Sequence, residues 1–220
     1  MYDARIDGVA VRAVLTGVGG VCARAVAPVL AQERPDACVV AGLGGGLSST
    51  LRRGTLVVAR DVVDGEAQGS CASDPRLTRV AEACGARAVR ALVSMDRILV
   101  RAGDKAALAD TADVVDMETF SVFAAAARLG VPVVAVRAIS DEVGDDLPLD
   151  FNRALASDGR LHYGWLAGQV VSHPHRLRQL VRFGRTSAQA ADTLGEFLDR
   201  YVRRLAAAPD PFAATETMAG

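Results

Sequence analysis

The chain has 220 residues, half of them hydrophobic, and a formal net charge of −1. This length fits one domain with a sizeable core, and the near-neutral charge argues against nucleic acid as an obligate partner, because phosphate binding requires a basic surface. No stretch contains the roughly 18 uncharged apolar residues that a membrane span needs. Charges at Asp3, Arg5 and Asp7 are incompatible with a signal peptide. We therefore expect a cytoplasmic protein.

Cysteine, histidine and lysine are too sparse for several common kinds of site. The four cysteines (Cys22, Cys38, Cys71 and Cys84) include no Cys-x-x-Cys pair, and the histidines all follow residue 160. The sequence therefore predicts buried free thiols, no metal site and no cofactor. Lys105 is the only lysine, which excludes a P-loop lysine. Its polar, helix-like surroundings argue against a Schiff-base nucleophile.

The first two thirds of the chain alternate between predicted strands and predicted helices. Strands are predicted over 9–15, 37–41, 55–63 and 88–95, and helices up to about residue 32, over 75–84 and over 105–112. Such alternation indicates an α/β protein with three α/β/α layers and a central, mostly parallel, mixed sheet.

Two glycine-rich segments, 16–20 and 42–46, follow predicted strands. A dinucleotide-binding fingerprint fails in both, because Cys22 and Leu47 stand where its third glycine belongs. Tight turns between strand and helix explain the segments equally well. The second segment predicts a loop whose backbone can approach a ligand closely, since no Cβ intervenes.

Two carboxylates follow the next two predicted strands. Glu118 comes after strand 114–115 and opens a helix to about residue 129, and Asp141 ends the buried-type strand 131–140. Ligands of open α/β sheets bind outside the carboxyl ends of the strands, so consecutive strands of one βαβ unit would deliver both acids to one crevice. One acid can hold a substrate while the other moves a proton. The alternatives are a turn or cap role for Asp141 and a first-turn helix acid at Glu118.

After residue 150 the sequence predicts only helices, over 161–171, 174–183 and 187–205. It indicates one domain over 1–205, helical from residue 150, and a disordered tail over 206–220. Arg176, Arg178, Arg182 and Arg185 alternate with apolar residues in this region. Two interpretations stay open: a helix packed on the domain with a solvated basic face, or an interfacial helix in peripheral contact with an anionic membrane.

The ordered set of motifs resembles the purine nucleoside phosphorylase and methylthioadenosine/S-adenosylhomocysteine nucleosidase superfamily over about residues 8–155. The segments that carry it are Thr16-Gly17-Val18-Gly19, 41–47, Arg53-Gly54-Thr55, Asp116-Met117-Glu118 and Ala138-Ile139-Ser140-Asp141. The resemblance implies the nucleoside phosphorylase type of sheet, a small nucleoside as substrate, no cofactor and a homo-oligomer. The helical C-terminal part, with its predicted turn at 183–187, is similar to the hopanoid-associated phosphorylase subgroup, which is linked to removal of adenine from adenosylhopane.

The resemblance also implies roles for the acids and their neighbours. Asp141 would protonate N7 of the departing purine, and Ser140 would help to orient that purine. Glu118 would bind the ribose hydroxyls, with Met117 against the sugar. The chemistry agrees, because breaking an N-glycosidic bond builds an oxocarbenium-like sugar cation and a purine that leaves poorly until it is protonated.

The remaining implied contacts surround the base and the nucleophile. Ile98 and Leu99 would sandwich the base, and Phe151 would close over it. The side of the ribose and the nucleophile would be lined by Gly42, Leu43, Gly44 and Gly45.

Two departures from the family pattern concern the nucleophile. Family phosphorylases hold phosphate with an arginine two residues before the glycine that matches Gly42, where this chain has Val40. We therefore predict hydrolysis that releases adenine from a 5′-substituted nucleoside; the alternatives are phosphorolysis and another nucleoside such as futalosine or inosine. Family nucleosidases also carry a water-activating glutamate upstream of the position of Val9. Only eight residues precede Val9, which indicates an N-terminal truncation, another activating group, or a nucleoside-binding protein without turnover.

Overall fold

The computed structural model describes residues 1–19, 21–66, 69–154, 162, 168 and 177–207. The strands are β1 (Tyr2–Ile6), β2 (Val9–Ala13), β3 (Cys38–Gly46), β4 (Leu56–Asp64), β5 (Ser70–Ala72), β6 (Arg87–Ser94), β7 (Val114–Asp116) and β8 (Val133–Asp141). The helices are α1 (Val21–Glu33), α2 (Pro75–Ala83), α3 (Ala102–Ala106), α4 (Thr119–Leu129) and α5 (Leu177–Ala207), with a 3-10 helix over Phe151–Ala154.

The central sheet is mixed and closes on itself. Its order is β5-β4-β6-β7-β3-β8, and β4 also pairs with β8. β4, β6 and β7 run parallel to one another, and β3 runs parallel to β8. Antiparallel pairs, β3 with β7 and β4 with β8, join the two groups. The strands β4, β6, β7, β3 and β8 therefore form a ring.

Helices cover both faces of the sheet, which confirms the predicted three α/β/α layers. On one face, Val26 of α1 and Phe123 of α4 belong to a single buried apolar cluster with the strands. On the other, Leu77 of α2 and Phe197 and Tyr201 of α5 do the same. The Tyr201 hydroxyl donates to the Leu77 carbonyl at 3.0 Å, which ties the two helices of this layer together.

The first predicted strand forms, but it lies outside the central sheet. β2 pairs antiparallel with β1 from Ile6↔Val9 to Tyr2↔Ala13 in a separate two-stranded sheet. Asp7 (φ 48°) and Gly8 (φ 88°) make the two-residue turn. Both have the positive φ that a type I′ hairpin requires, and an Asp-Gly pair is a strong hairpin signal.

The predicted glycine loop at 42–46 is wrong, because β3 runs through all of these glycines to Gly46. Gly42 pairs with Arg137 and Gly44 with Ile139 in parallel register. A Cβ on Gly44 or Gly45 would lie 3.0 Å from a methyl group of Val114 or Val115, respectively. The glycines therefore let β7 approach β3 closely rather than turning the chain.

The expectation of a parallel βαβ unit around α4 is also wrong. β7 is antiparallel to β3, and β3 is parallel to β8, so β7 and β8 run in opposite directions. Their carboxyl ends still approach one another, because Gly45 pairs with both Val115 and Asp141. The strand ends that carry the two acids therefore meet through close packing around Gly45, and not because the strands are parallel.

The C-terminal part also differs from the prediction. A single 31-residue helix, α5, replaces the two helices and the turn predicted at 183–187. Thr186 donates its hydroxyl to the carbonyls of Arg182 and Phe183, and one internal glycine, Gly184, costs only about 1 kcal/mol relative to alanine. The predicted helix at 161–171, except residues 162 and 168, and the tail from 208 onward lie outside the described residues.

Two further observations concern the expected environment of the protein. Cys38, Cys71 and Cys84 are free thiols and half-buried rather than fully buried. Burial raises the pKa of the Cys38 thiol to about 11. Within the described part of the chain, no helix is both long and apolar enough to cross a membrane.

Candidate active site

One cavity of about 1990 Å³ extends from the β1–β2 hairpin to the 3-10 helix. It brings together every residue that the sequence nominated for a site: Gly42, Leu43, Gly44, Gly45, Ile98, Leu99, Met117, Glu118, Ser140, Asp141 and Phe151. The closed sheet and the helix α5 place them around one space, although in sequence they extend from Gly42 to Phe151.

Asp141 and Ser140 end β8, and both are buried. The Ser140 hydroxyl lies 2.6 Å from Asp141 Oδ1 and 3.2 Å from the Gly44 carbonyl, so it can donate to either. The other carboxylate oxygen, Oδ2, accepts a hydrogen bond from the ammonium group of Lys105. Asp141 is therefore held by side chains rather than acting as a helix cap. No sequence motif links Lys105 to this acid.

A second buried ion pair lies under the site. Arg137 donates from Nε and Nη2 to Asp116 Oδ2, at 3.1 and 2.5 Å, and from Nη1 to the Val40 carbonyl at 2.8 Å. Ser94 donates to the other oxygen of Asp116 at 2.7 Å. Buried charges need such compensation. The pair connects β8, β7, β6 and β3 directly before Met117, and sequence reasoning missed it.

Glu118 stands directly before α4 and makes no capping hydrogen bond there. Its Oε1 accepts instead from the backbone N–H of Gly19 at 2.6 Å, and Gly19 has the positive φ (97°) that favours glycine. Burial and the neighbouring Asp116 raise the pKa of Glu118, while the N–H of Gly19 and the charge of Arg137 oppose this. The first glycine-rich segment thus orients a carboxylate.

The expected base-binding residues are held by contacts with the 3-10 helix and with α5. Ile98 donates its N–H to Asn152 Oδ1 at 2.7 Å and accepts from Asn152 Nδ2 at 2.9 Å, which fixes its loop to the 3-10 helix. Leu99 is buried in an apolar cluster. The Phe151 ring lies 5.6 Å from the ring of Phe183 in α5. Asn152 and Phe183 had no sequence signal of their own.

The arginines after β3 brace the turn that follows Asp141. Arg52 pairs with Glu142 at 2.6 Å and Arg53 with Asp145 at 2.7 Å. The Arg52 side chain is 72% exposed and that of Arg53 only 28%, so the first is a surface ion pair and the second is partly shielded from solvent.

The three-layer fold with its closed mixed sheet matches the fold of nucleosidases and nucleoside phosphorylases. The family model of the phosphorylase superfamily matches residues 1–161, which is 161 of 220 residues. The chain therefore belongs to the phosphorylase superfamily, as the motifs indicated, and it is an enzyme of this class.

Solved structures agree on the fold. The 5′-methylthioadenosine/S-adenosylhomocysteine nucleosidase of Neisseria meningitidis, in complex with methylthio-immucillin-A, is 20% identical with a TM-score of 0.69, over 92% of this chain and 84% of that one. The S-adenosylhomocysteine nucleosidase of Streptococcus pyogenes is 19% identical with a TM-score of 0.69, over 93% of this chain and 83% of that one. The futalosine hydrolase of Helicobacter pylori is 17% identical with a TM-score of 0.63, over 85% of this chain and 76% of that one.

Proposed function

We propose that the protein is an N-glycosidase that hydrolyses a 5′-substituted purine nucleoside and releases adenine. The observation that supports this most is the setting of Asp141: a buried carboxyl group between a hydroxyl and an ammonium group, in the same cavity as Glu118. This is a suitable place for a general acid next to a carboxylate that can accept from sugar hydroxyls.

The proposed reaction assigns one step to each acid. Asp141 gives its proton to N7 of the purine while the electron pair of the N-glycosidic bond moves to N9. The sugar is left as an oxocarbenium-like cation, and water adds to it. The proton that this water loses passes to solvent, and Asp141 takes up a proton from solvent before the next turnover. Glu118 accepts from the ribose hydroxyls and fixes the sugar during this change. Ile98, Leu99 and Phe151 provide apolar contacts for the base.

The charges at the nucleophile side favour water over phosphate. Arg137 lies near Gly42, but its nitrogens already bind Asp116 and the carbonyls of Val40 and Val136. Arg52 and Arg53 are ion-paired and do not line the cavity. Binding phosphate through Arg137 would break a buried ion pair, which is strongly destabilising.

The test is base release from defined nucleosides. Purified protein is incubated with methylthioadenosine, S-adenosylhomocysteine, adenosylhopane, inosine or futalosine, with and without phosphate, and the free base is measured. We expect adenine from at least one of the first three, independent of phosphate. Silence with those three contradicts the proposal. So does a ligand-induced rise in melting temperature without base release, which would indicate binding without turnover.

The proposal includes self-association. Sites of the resembled superfamily borrow side chains from a neighbouring subunit, so we expect a homo-oligomer in light scattering. A monomer with full activity would show that the cavity is complete within one chain.

The proposal also includes peripheral contact of α5 with an anionic membrane. Leu177 and Val181 are each 43% exposed at the start of this helix, beside Arg178, Arg182 and Arg185. Apolar side chains next to basic ones fit an interfacial helix. We expect co-sedimentation with vesicles that contain phosphatidylglycerol and not with pure phosphatidylcholine vesicles. Equal recovery with both vesicle types would indicate an ordinary solvated basic face.

A further inference from the structure

The only lysine of the chain is almost completely buried. Lys105 in α3 is 1% exposed, although lysine is almost never fully buried unless it is paired. Its ammonium group donates to Asp141 Oδ2, to the Glu142 carbonyl at 3.1 Å and to the Asp145 carbonyl at 2.9 Å. An ammonium has three donors, so each of them has a partner at the end of β8 or in the turn after it.

The two oxygens of Asp141 are consequently different. Oδ2 faces a full positive charge, whereas Oδ1 lies 2.6 Å from the neutral hydroxyl of Ser140. Gly45 packs beside Oδ2 without a side chain, because a Cβ at this position would lie only 3.2 Å from that oxygen. The hydrogen bonds from Lys105 and Ser140, one to each oxygen, fix the orientation of the carboxyl group.

We propose that Lys105 is a positioning residue for the general acid: its ammonium group orients Asp141 through Oδ2 and stabilises the negative charge that forms there when the proton leaves. This rests on the proposed function. As the proton moves from Asp141 to N7 and the glycosidic electron pair moves to N9, Asp141 becomes an anion in a buried site. A preorganised cation is worth more to that transition state than to the uncharged acid.

Other charges around Lys105 do not replace Asp141. Glu142 and Asp145 present their backbone carbonyls to the ammonium group, and their carboxylates pair with Arg52 and Arg53. Burial raises the pKa of Asp145, but the N–H of Glu142 and the Arg53 guanidinium more than offset this and hold it below its usual range. Asp104, the other charged group of α3, belongs to the first turn.

A single lysine makes the pair directly observable. Protein labelled with ¹³C at lysine Cε should give one side-chain signal, that of Lys105. We expect this signal to shift in Asp141→Asn and on addition of adenine to the unchanged protein. A signal that ignores Asp141→Asn contradicts the ion pair, and one that responds to Asp141→Asn but not to adenine contradicts a role at the site.

Kinetics separate a positioning role from a structural one. Charge-assisted hydrogen bonds are worth a factor of about 10–150, so kcat of Lys105→Met should fall by about that factor, and Lys105→Arg should recover part of it. The matched control is Arg52→Met, which removes an exposed cation that pairs with Glu142 in the same turn and should change kcat less than about threefold. In the Asp141→Asn background Lys105→Met should cost less than about threefold, because both changes affect one interaction.

The double variant gives the sharpest readout. Losses of Lys105→Met and Asp141→Asn that multiply in the double variant overturn the proposal. So does a loss in Arg52→Met as large as that in Lys105→Met. If Lys105→Met does not fold, the lysine signal of the labelled parent and the kcat of Lys105→Arg test the proposal instead. Absence of base release by the parent contradicts the proposed function first, and the Asp141→Asn signal then reports on the ion pair alone.

Discussion

The two carboxylates of the cavity have opposite electrostatic settings. Asp141 is buried against a hydroxyl and a full cation, Lys105. Glu118 is only half-buried, accepts from the backbone N–H groups of Gly19 and Met117, and has the like charge of Asp116 nearby. A cation at one acid favours the charge that forms when a proton leaves, while neutral donors at the other leave lone pairs available to hydroxyl groups. The difference indicates which acid suits proton transfer and which suits binding.

The largest expected effect is at Asp141. Asp141→Asn keeps size and hydrogen bonding but removes the titratable proton, so kcat should fall by about 10²–10⁴-fold while substrate still binds. The variant also removes the carboxyl partner of the buried Lys105 ammonium group, and breaking a buried pair in this way typically costs about 3–5 kcal/mol of stability. Kinetics are therefore measured below the melting temperature of the variant. An Asp141→Asn variant as active as the parent would make Asp141 a structural residue and the mechanism wrong.

The second effect is at Glu118. Glu118→Gln leaves proton transfer intact and weakens the acceptor for the ribose hydroxyls, so kcat/KM should fall by about 10–150-fold, partly through KM. The comparison between the acids fails if Glu118→Gln lowers kcat as much as Asp141→Asn with KM unchanged.

The third effect tests the glycines that bring β7 and β8 together. A Cβ at Gly45 would lie 3.0 Å from Val115 and 3.2 Å from Asp141 Oδ2, so Gly45→Ala should lose about 1–3 kcal/mol of stability and displace the acid. Gly42→Ala is the matched control, because its Cβ would make ordinary 3.7 Å contacts with Arg137. Urea unfolding and base release of both variants measure the difference, and equal effects would contradict a specific steric role for Gly45.

The smallest effect is the pH dependence of Glu118. Burial and Asp116 raise its pKa above the ordinary 4.5, so the carboxylate is lost, as pH falls, at a higher pH than for an ordinary glutamate. KM should rise by up to about tenfold per pH unit below that raised pKa, and Glu118→Gln should remove this rise. For stability the sign is opposite: the contribution of Glu118 is fully present below its unfolded pKa and is lost as pH rises through the raised value.

The elements that a local pattern defines were predictable. The helix at 75–84 begins with Asp74, whose side chain accepts from the backbone N–H groups of Arg76 and Leu77, and with Pro75 in its first turn. The strands near 55–63 and 88–95 are apolar runs, and the alternation of such strands with helices indicated the three layers. Short motifs in fixed order were enough to indicate the superfamily, because close backbone contacts and strand-end acids allow few residue types.

Tertiary structure alone decided three features, for one physical reason: each depends on contacts between residues distant in sequence. The direction of β7 relative to β8 follows from pairing through β3 and not from the chain between them. The glycines at 42–46 look like a turn in sequence, yet they belong to β3, and Val114 and Val115 occupy the space that side chains at Gly44 and Gly45 would need. Lys105 resembles a surface residue of a polar helix by its neighbours, and only the fold puts its ammonium group against Asp141, 36 residues away. The sequence by itself thus determined the class of fold and the two acids, and the packing of β3, β8 and α3 decided how one of those acids is held.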